Sequence, residues 1–154
     1  MLNSPEAMIR QYYADIFAHG NLNALELYVA PSCIIEMQGS APGHAPGLAL
    51  LKERLARFWV ALPVVEHTIL DLISQDDKVV ARWAMRVRHA SNYEGIPATG
   101  RVASLTGVDI FRLADQKIVK QWTDVGHESF LKQLKHTNQI AQPHRAAEQP
   151  GDAD

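Results

Sequence analysis

The chain has 154 residues, 47% of them hydrophobic and 21% charged, which suits one globular domain with a single sizeable core and leaves no room for a second of ordinary size. Fifteen Lys and Arg against seventeen Asp and Glu give a formal charge of -2, so the basic excess of a phosphate-tracking surface is missing and nucleic acid is not expected as a partner. No apolar run approaches the ~20 residues of a membrane helix, and Met1-Leu2-Asn3-Ser4-Pro5 lacks the basic-then-apolar pattern of an export signal. The lone cysteine, Cys33, can form neither an internal disulfide nor a multi-thiolate metal site, so a cytoplasmic protein with no membrane partner is expected.

Ser4-Pro5-Glu6 supplies an N-cap and a first-turn proline. Met8, Ile9, Tyr12, Tyr13, Ile16 and Phe17 then form a helical stripe that ends near His19-Gly20. Asn23 caps a second, short helix through Leu25, Leu27, Tyr28 and Val29, stopped by Pro31, and the two helices should form a hairpin. Cys33 to Met37 reads as a short strand, followed by a turn-rich loop from Gly39 to Gly47. Leu48, Leu51, Leu55, Phe58 and Leu62 share one face of a third helix that Pro63 ends. From residue 64 the period becomes extended, with four long strands expected at Val64 to Ile73, Lys78 to Ala90, Arg101 to Leu113 and Lys117 to Val125. Asp76-Asp77 and Asp115-Gln116 sit where tight hairpin turns belong, so most of the sheet should be antiparallel. A last helix is expected from about Glu128 to Gln139, and from Ala141 the composition is that of a frayed tail. Helices first and strands afterwards give an α+β domain over residues 1–140, with a flexible segment at 141–154.

Alternation on the strand from Lys78 puts Val79, Ala81, Trp83, Met85, Val87 and His89 on a buried face and Arg82, Arg86 and Arg88 on a solvated one. His89, ending an apolar stripe, is either a satisfied core histidine or a functional group. On the last strand Ile118, Lys120, Trp122 and Asp124 share a face, so an inward Trp122 brings Asp124 inward with it. A carboxylate among apolar groups is costly unless paired or neutralised, which makes Asp124 a candidate general base; its alternative is a cap on the final helix. Asp109, beside Leu105 and Phe111, is a third polar group on a face that could be buried.

Gly95 and Gly100 have the spacing of a phosphate-binding loop, but Arg101-Val102 stands where Lys and Ser or Thr are required. His127-Glu128 lacks a second histidine four residues after His127, so a tight metal site is not indicated. No Gly-x-Ser-x-Gly elbow occurs.

Residues 7 to 135 resemble the SnoaL-like polyketide cyclase or ester cyclase family, within the superfamily named for nuclear transport factor 2. The resemblance is carried by Asn21-Leu22-Asn23-Ala24-Leu25 with Ala30-Pro31, and by His89 through Tyr93 to Gly95-Ile96-Pro97-Ala98-Thr99-Gly100-Arg101. Thr106-Gly107-Val108-Asp109-Ile110-Phe111-Arg112, Lys117-Ile118-Val119-Lys120-Gln121-Trp122 and Gln133-Leu134 complete it. It implies a cone-shaped α+β barrel in which a strongly curved, mostly antiparallel sheet and N-terminal helices on its concave face enclose an apolar pocket, in a homodimer or homotetramer. Characterised relatives close a ring in an aromatic polyketide by intramolecular aldol condensation, with no cofactor or metal, using a late aspartate as base. Many members carry that aspartate four residues after the strand tryptophan, where this chain has Gly126; Asp124 lies two residues earlier, a shift of about 7 Å. The first strand often carries a histidine where this chain has Glu36, which places Glu36 at the pocket wall or rim.

The expected activity is therefore proton abstraction from an activated carbon of a small hydrophobic, polyketide-like molecule. Asp124 is the expected base or acid, His89 its partner or a proton donor, and Phe58, Trp83, Phe111 and Trp122 are expected pocket walls. Dehydration, isomerisation or cofactor-free hydroxylation in the same pocket, or a module that binds a small ligand without turning it over, are the alternatives.

Overall fold

The computed structural model describes residues 4–37 and 47–136, so the turn-rich loop before Gly47, the end of the last expected helix and the tail lie outside the described residues. Helix α1 (Pro5–Tyr13) begins as its sequence dictates: Ser4 Oγ accepts from the Ala7 amide at 3.1 Å, and Pro5 sits in the first turn, where a missing N–H costs nothing. The stripe of Met8, Ile9, Tyr12 and Tyr13 is buried. From Ala14 to Ala18 the helix widens into a π-turn, a feature the apolar period did not disclose. A 3₁₀ turn then leads into α2 (Leu25–Tyr28), and the Tyr28 hydroxyl donates to Asp15 in the π-turn, closing the expected helical hairpin.

Strand β1 (Val29–Met37) follows at once and is longer than expected, because Pro31 lies within it rather than ending the element before it. Pro31 is tolerated because β1 is an edge strand whose pairing is interrupted between Val29 and Ile34. Helix α3 (Leu48–Ala61) packs Leu48, Leu51, Leu55 and Phe58 against the core, as their spacing required. Strands β2 (Val64–Gln75), β3 (Lys78–Arg88), β4 (Val102–Ala114) and β5 (Lys117–Val125) pair antiparallel in succession. The sheet order is β1-β5-β4-β3-β2, with β1 parallel to β5. Asp76, Asp115 and Gln116 adopt left-handed backbone, φ 53°, 50° and 59°, as the two tight hairpins demand. Helix α4 (His127–His136) ends the described chain.

The fold is thus α+β: a curved mixed sheet whose concave face is covered by helices. Val79, Ala81, Trp83, Met85 and Val87 are buried there, while Arg82 and Arg86 face outward in ion pairs with Asp71 and Glu66. Tyr12 and Tyr13 meet Phe111 edge-on, with ring centroids 5.7 and 5.9 Å apart, and so dock α1 on β4. Phe130 and Leu134 seat α4, and each fully buried side chain of this size contributes about 1.5–3 kcal/mol.

The expected face of β5 is corrected. Ile118 pairs with Leu113 but Lys120 pairs with Arg112, so β5 advances two residues where β4 advances one. This bulge at Val119 reverses the alternation beyond it. Ile118 points inward, but then Gln121, Thr123 and Val125 do, while Lys120, Trp122 and Asp124 face out.

Gly107 pairs with Trp83, and a Cβ at Gly107 would sit 2.3 Å from the indole Cζ2. The bare backbone is what allows the indole to lie across β4. Gly107→Ala should therefore displace Trp83 and cost about 1–3 kcal/mol, read as a lowered urea midpoint together with a changed tryptophan emission.

Candidate active site

Between the concave sheet face and the helices lies a cavity of about 560 Å³. Its walls are apolar: Phe17 from the π-turn, Ile35 from β1, Leu55 and Phe58 from α3, Trp83 and Met85 from β3, and Leu105 from β4. Its mouth carries the exposed side chains of Met37, Arg54 and Glu94, with His127 at the start of α4. A volume of this size and lining is typical of small-molecule sites.

One carboxyl lies inside. Asp109 is 4% exposed, and both of its oxygens are engaged. Oδ2 accepts from the Tyr13 hydroxyl at 2.5 Å and from the Trp83 indole N–H at 2.9 Å, while Oδ1 accepts from the Thr123 hydroxyl at 2.8 Å. Local structure explains each partner. Thr123 is directly opposite Asp109 in the β4–β5 register, Trp83 reaches over Gly107, and Tyr13 is delivered by the last turn of α1. Burial raises the Asp109 pKa, and the hydrogen bonds from Tyr13, Thr123 and Trp83 offset it only in part. The same burial, with the Asp109 charge nearby, raises Tyr12 and Tyr13, so both phenols stay protonated donors. Tyr12 lines the cavity, and its hydroxyl hydrogen-bonds to no other described residue. Burial also pushes the Cys33 thiol up to about 11, which leaves it unreactive.

The sequence-derived residues divide into three groups. Asp109, Trp83 and Phe58 line the cavity together. Phe111 is fully buried behind the wall, under Tyr12 and Tyr13, and not in the lining. His89 is 0% exposed, as its place on the stripe required, yet it does not line the cavity: Nδ1 accepts from the Thr99 amide at 3.3 Å, and its backbone bonds to Arg101 and Gly100, pinning the connection between β3 and β4. That is the structural alternative for His89. Asp124, Trp122 and Glu36 do come together, but on the outer face of the sheet, where the bulge at Val119 sends the first two and Glu36 pairs with Trp122 from β1. There Lys120 bridges to Glu36 at 3.1 Å and lies 4.5 Å from the centre of the Trp122 ring. The expected inward Asp124 is therefore replaced at the cavity by Asp109. Gly126 is exposed between β5 and α4, where its amide donates to Thr106.

Sequence reasoning missed Tyr12, Tyr13, Gln121, Thr123 and His67. The tyrosines read as helical core, and Gln121 and Thr123 were on the wrong side of an unbroken alternation. His67 on β2 stacks on Tyr13 at 4.8 Å and lies 5.9 Å from Trp83, behind the two aromatic donors to Asp109. Among the described residues, no three His, Cys, Asp or Glu side chains gather as a metal site needs. No helix there is long and apolar enough to cross a membrane.

Burial lowers His67 from 6.5 to about 4, so the unfolded chain takes up a proton that the fold refuses. The stability this neutral ring contributes is fully present above pH 6.5 and is lost as pH falls toward about 4. Urea midpoints of the wild type should accordingly fall across that window more steeply than those of His67→Phe.

The family model for SnoaL-like polyketide cyclase matches residues 7–134. No curated protein matches the chain significantly. Among solved structures, a candidate polyketide cyclase from Acidithiobacillus ferrooxidans is 22% identical with a TM-score of 0.76, over 88% of this chain and 98% of its own. IdmH, a candidate polyketide cyclase from Streptomyces antibioticus, is 26% identical with a TM-score of 0.76, over 86% and 99%. AclR, a candidate hydroxylase from Streptomyces galilaeus, shares the fold at 17% identity and a TM-score of 0.76, over 88% and 98%. With a family model that spans most of its length and a helix-backed curved sheet common to these structures, the chain belongs to the SnoaL-like polyketide cyclase family.

Proposed function

We propose that this protein is a cofactor-independent enzyme that abstracts a proton from a carbon flanked by carbonyls in a small, hydrophobic, polyketide-like substrate and so drives aldol ring closure, with Asp109 as its base. The observation that carries this reading is a single carboxyl of raised pKa buried in an apolar cavity and held by Tyr13, Trp83 and Thr123. A base works best when its pKa approaches the operating pH, and burial moves a carboxylate that way.

The Asp109 carboxylate takes the C–H proton, and the bonding pair becomes an enolate. The Tyr12 hydroxyl, without a hydrogen-bond partner among the described residues, is the donor available to the enolate oxygen. The enolate carbon attacks a second carbonyl of the same molecule, a carbon–carbon bond forms, and the resulting alkoxide takes back the proton held by Asp109. Atoms and charge balance with no outside reactant. The apolar walls hold a flexible chain folded for that attack.

The outer face supports the expected homodimer. Glu36, Trp122, Ile110, Val80 and Ile73 are paired in one continuous row across the five strands, and Ile73 is 64% exposed. Asp124 and Arg82 flank Val108 symmetrically in the next row. A two-fold axis parallel to β4 would set Trp122 of one copy on Val80 of the other and Asp124 against Arg82, joining apolar to apolar and acid to base.

Deuterium incorporation from heavy water into a panel of β-keto esters tests the chemistry. Wild type should exchange above the buffer rate, Asp109→Asn should fall by at least about 100-fold, and Asp124→Asn should match wild type. Unchanged exchange in a folded Asp109→Asn, or no exchange by wild type of esters that bind, would leave a ligand-binding module instead. For the assembly, sedimentation should give twice the chain mass for wild type and the chain mass for Ile110→Glu; a monomeric wild type overturns the dimer.

A further inference from the structure

Among the described residues, His67 on β2 is the one ring that meets both aromatic donors to Asp109. It stacks on Tyr13 with centroids 4.8 Å apart and planes 21° from parallel, and it stands 5.9 Å from Trp83 at 30°. Trp83 has no other aromatic ring against it among the described residues. Phe17 closes the group from the π-turn, 5.2 Å from His67 and 5.7 Å from Tyr13, so the widened turn that follows Tyr13 also clamps the imidazole. The imidazole has no polar task of its own. Nε2 is shielded from solvent without a partner, and the side chain makes no hydrogen bond or ion pair among the described residues. An unpaired buried nitrogen is a cost, and what the ring supplies against it is a flat face.

Convergence is what such a face secures. Tyr13 comes from the last turn of α1 and Trp83 from β3, yet the phenol hydroxyl and the indole N–H both donate to Oδ2 of Asp109, at 2.5 and 2.9 Å. A ring free to turn would swing its donor off that oxygen, and hydrogen bonds weaken steeply as they bend. We propose that His67 is a positioning residue that holds both donors on Oδ2 by supporting the phenol and the indole on its ring, and that it thereby sets the basicity of Asp109. Each donor stabilises the carboxylate over the acid, so losing one lifts the Asp109 pKa further. The other titratable groups around the carboxyl keep their states. Tyr12 and Tyr13 on α1 and Cys33 on β1 are held neutral by burial, and Arg54, Glu94 and His127 stand at the mouth. The positioning is a property of the fold, and only its bearing on catalysis rests on the proton-abstraction reading.

Nuclear magnetic resonance reads both halves of the proposal. The three tryptophans give three indole N–H resonances, of which that of Trp83 is the one absent from Trp83→Phe, and the Asp109 carboxyl carbon is the one lost in Asp109→Asn. In wild type the Trp83 proton should lie downfield and move as acid neutralises Asp109. His67→Leu fills the space without a flat face, and His67→Ala empties it; in both, the Trp83 proton should move upfield and the Asp109 midpoint should rise by about one pH unit. His67→Phe keeps a flat face with no titrating nitrogen and should leave both readings near wild type. A merely loosened fold lowers the urea midpoint without moving the titration of one carboxyl. An unmoved Trp83 proton and Asp109 midpoint in His67→Leu and His67→Ala, or the same displacement in His67→Phe as in His67→Leu, would overturn the assignment. β-Keto ester exchange separates the two ideas. Unmoved resonances with Asp109-dependent exchange intact remove His67 alone, whereas displaced resonances with no exchange by wild type remove the catalysis and leave the positioning standing.

Discussion

A carboxyl group under an apolar roof is the constraint around which this molecule is arranged. An ionised Asp109 without partners would cost several kcal/mol, so three donors must be present before the interior can close. They come from three distant parts of the chain: a tyrosine on the first helix, an indole on β3, a threonine on β5. The sheet register, the glycine under the indole and the docking of α1 on Phe111 all serve the same convergence. Because the donors only partly offset the desolvation, the Asp109 pKa stays above the ordinary carboxylate range.

Polarity is graded outward from that point. Around Asp109 the walls offer hydrocarbon and aromatic edges, and only at the mouth do Arg54 and Glu94 meet solvent. Glu94 holds left-handed backbone, φ 51°, in a two-residue turn with Gly95 that sets Tyr93 against Phe58, Phe130 and His127. The strain of a non-glycine residue there, about 1–2 kcal/mol, is accepted where it positions a rim side chain.

Much of this is legible in the sequence. Helical spacing located α1 and α3, β-branched runs located β2 to β5, and the acidic turn pairs marked both tight hairpins. Strict alternation on β3 identified the buried face through His89. What could not be read was the bulge at Val119, because one extra residue leaves no mark in composition while it reverses every side chain after it. An unbroken alternation turns Asp124 and Trp122 inward and hides Thr123 and Gln121. Asp109 looked ambiguous for a related reason: β4 carries Val108 and Ile110 on its outer face, apolar residues that masked which side was core. Tyr12 and Tyr13 were invisible as polar groups because a helix stripe reports only their rings.

The bulge at Val119 also bears on how such a chain can change over time. Excising this one residue would make Ile118 and Lys120 consecutive partners of Leu113 and Arg112, so Gln121 and Thr123 would still face the chamber and Lys120, Trp122 and Asp124 the exterior. Val119 is therefore the residue this strand can lose without exchanging its two faces. A lineage that loses a codon here keeps its chamber floor and its external contact together and gives up only the local bend of the strand.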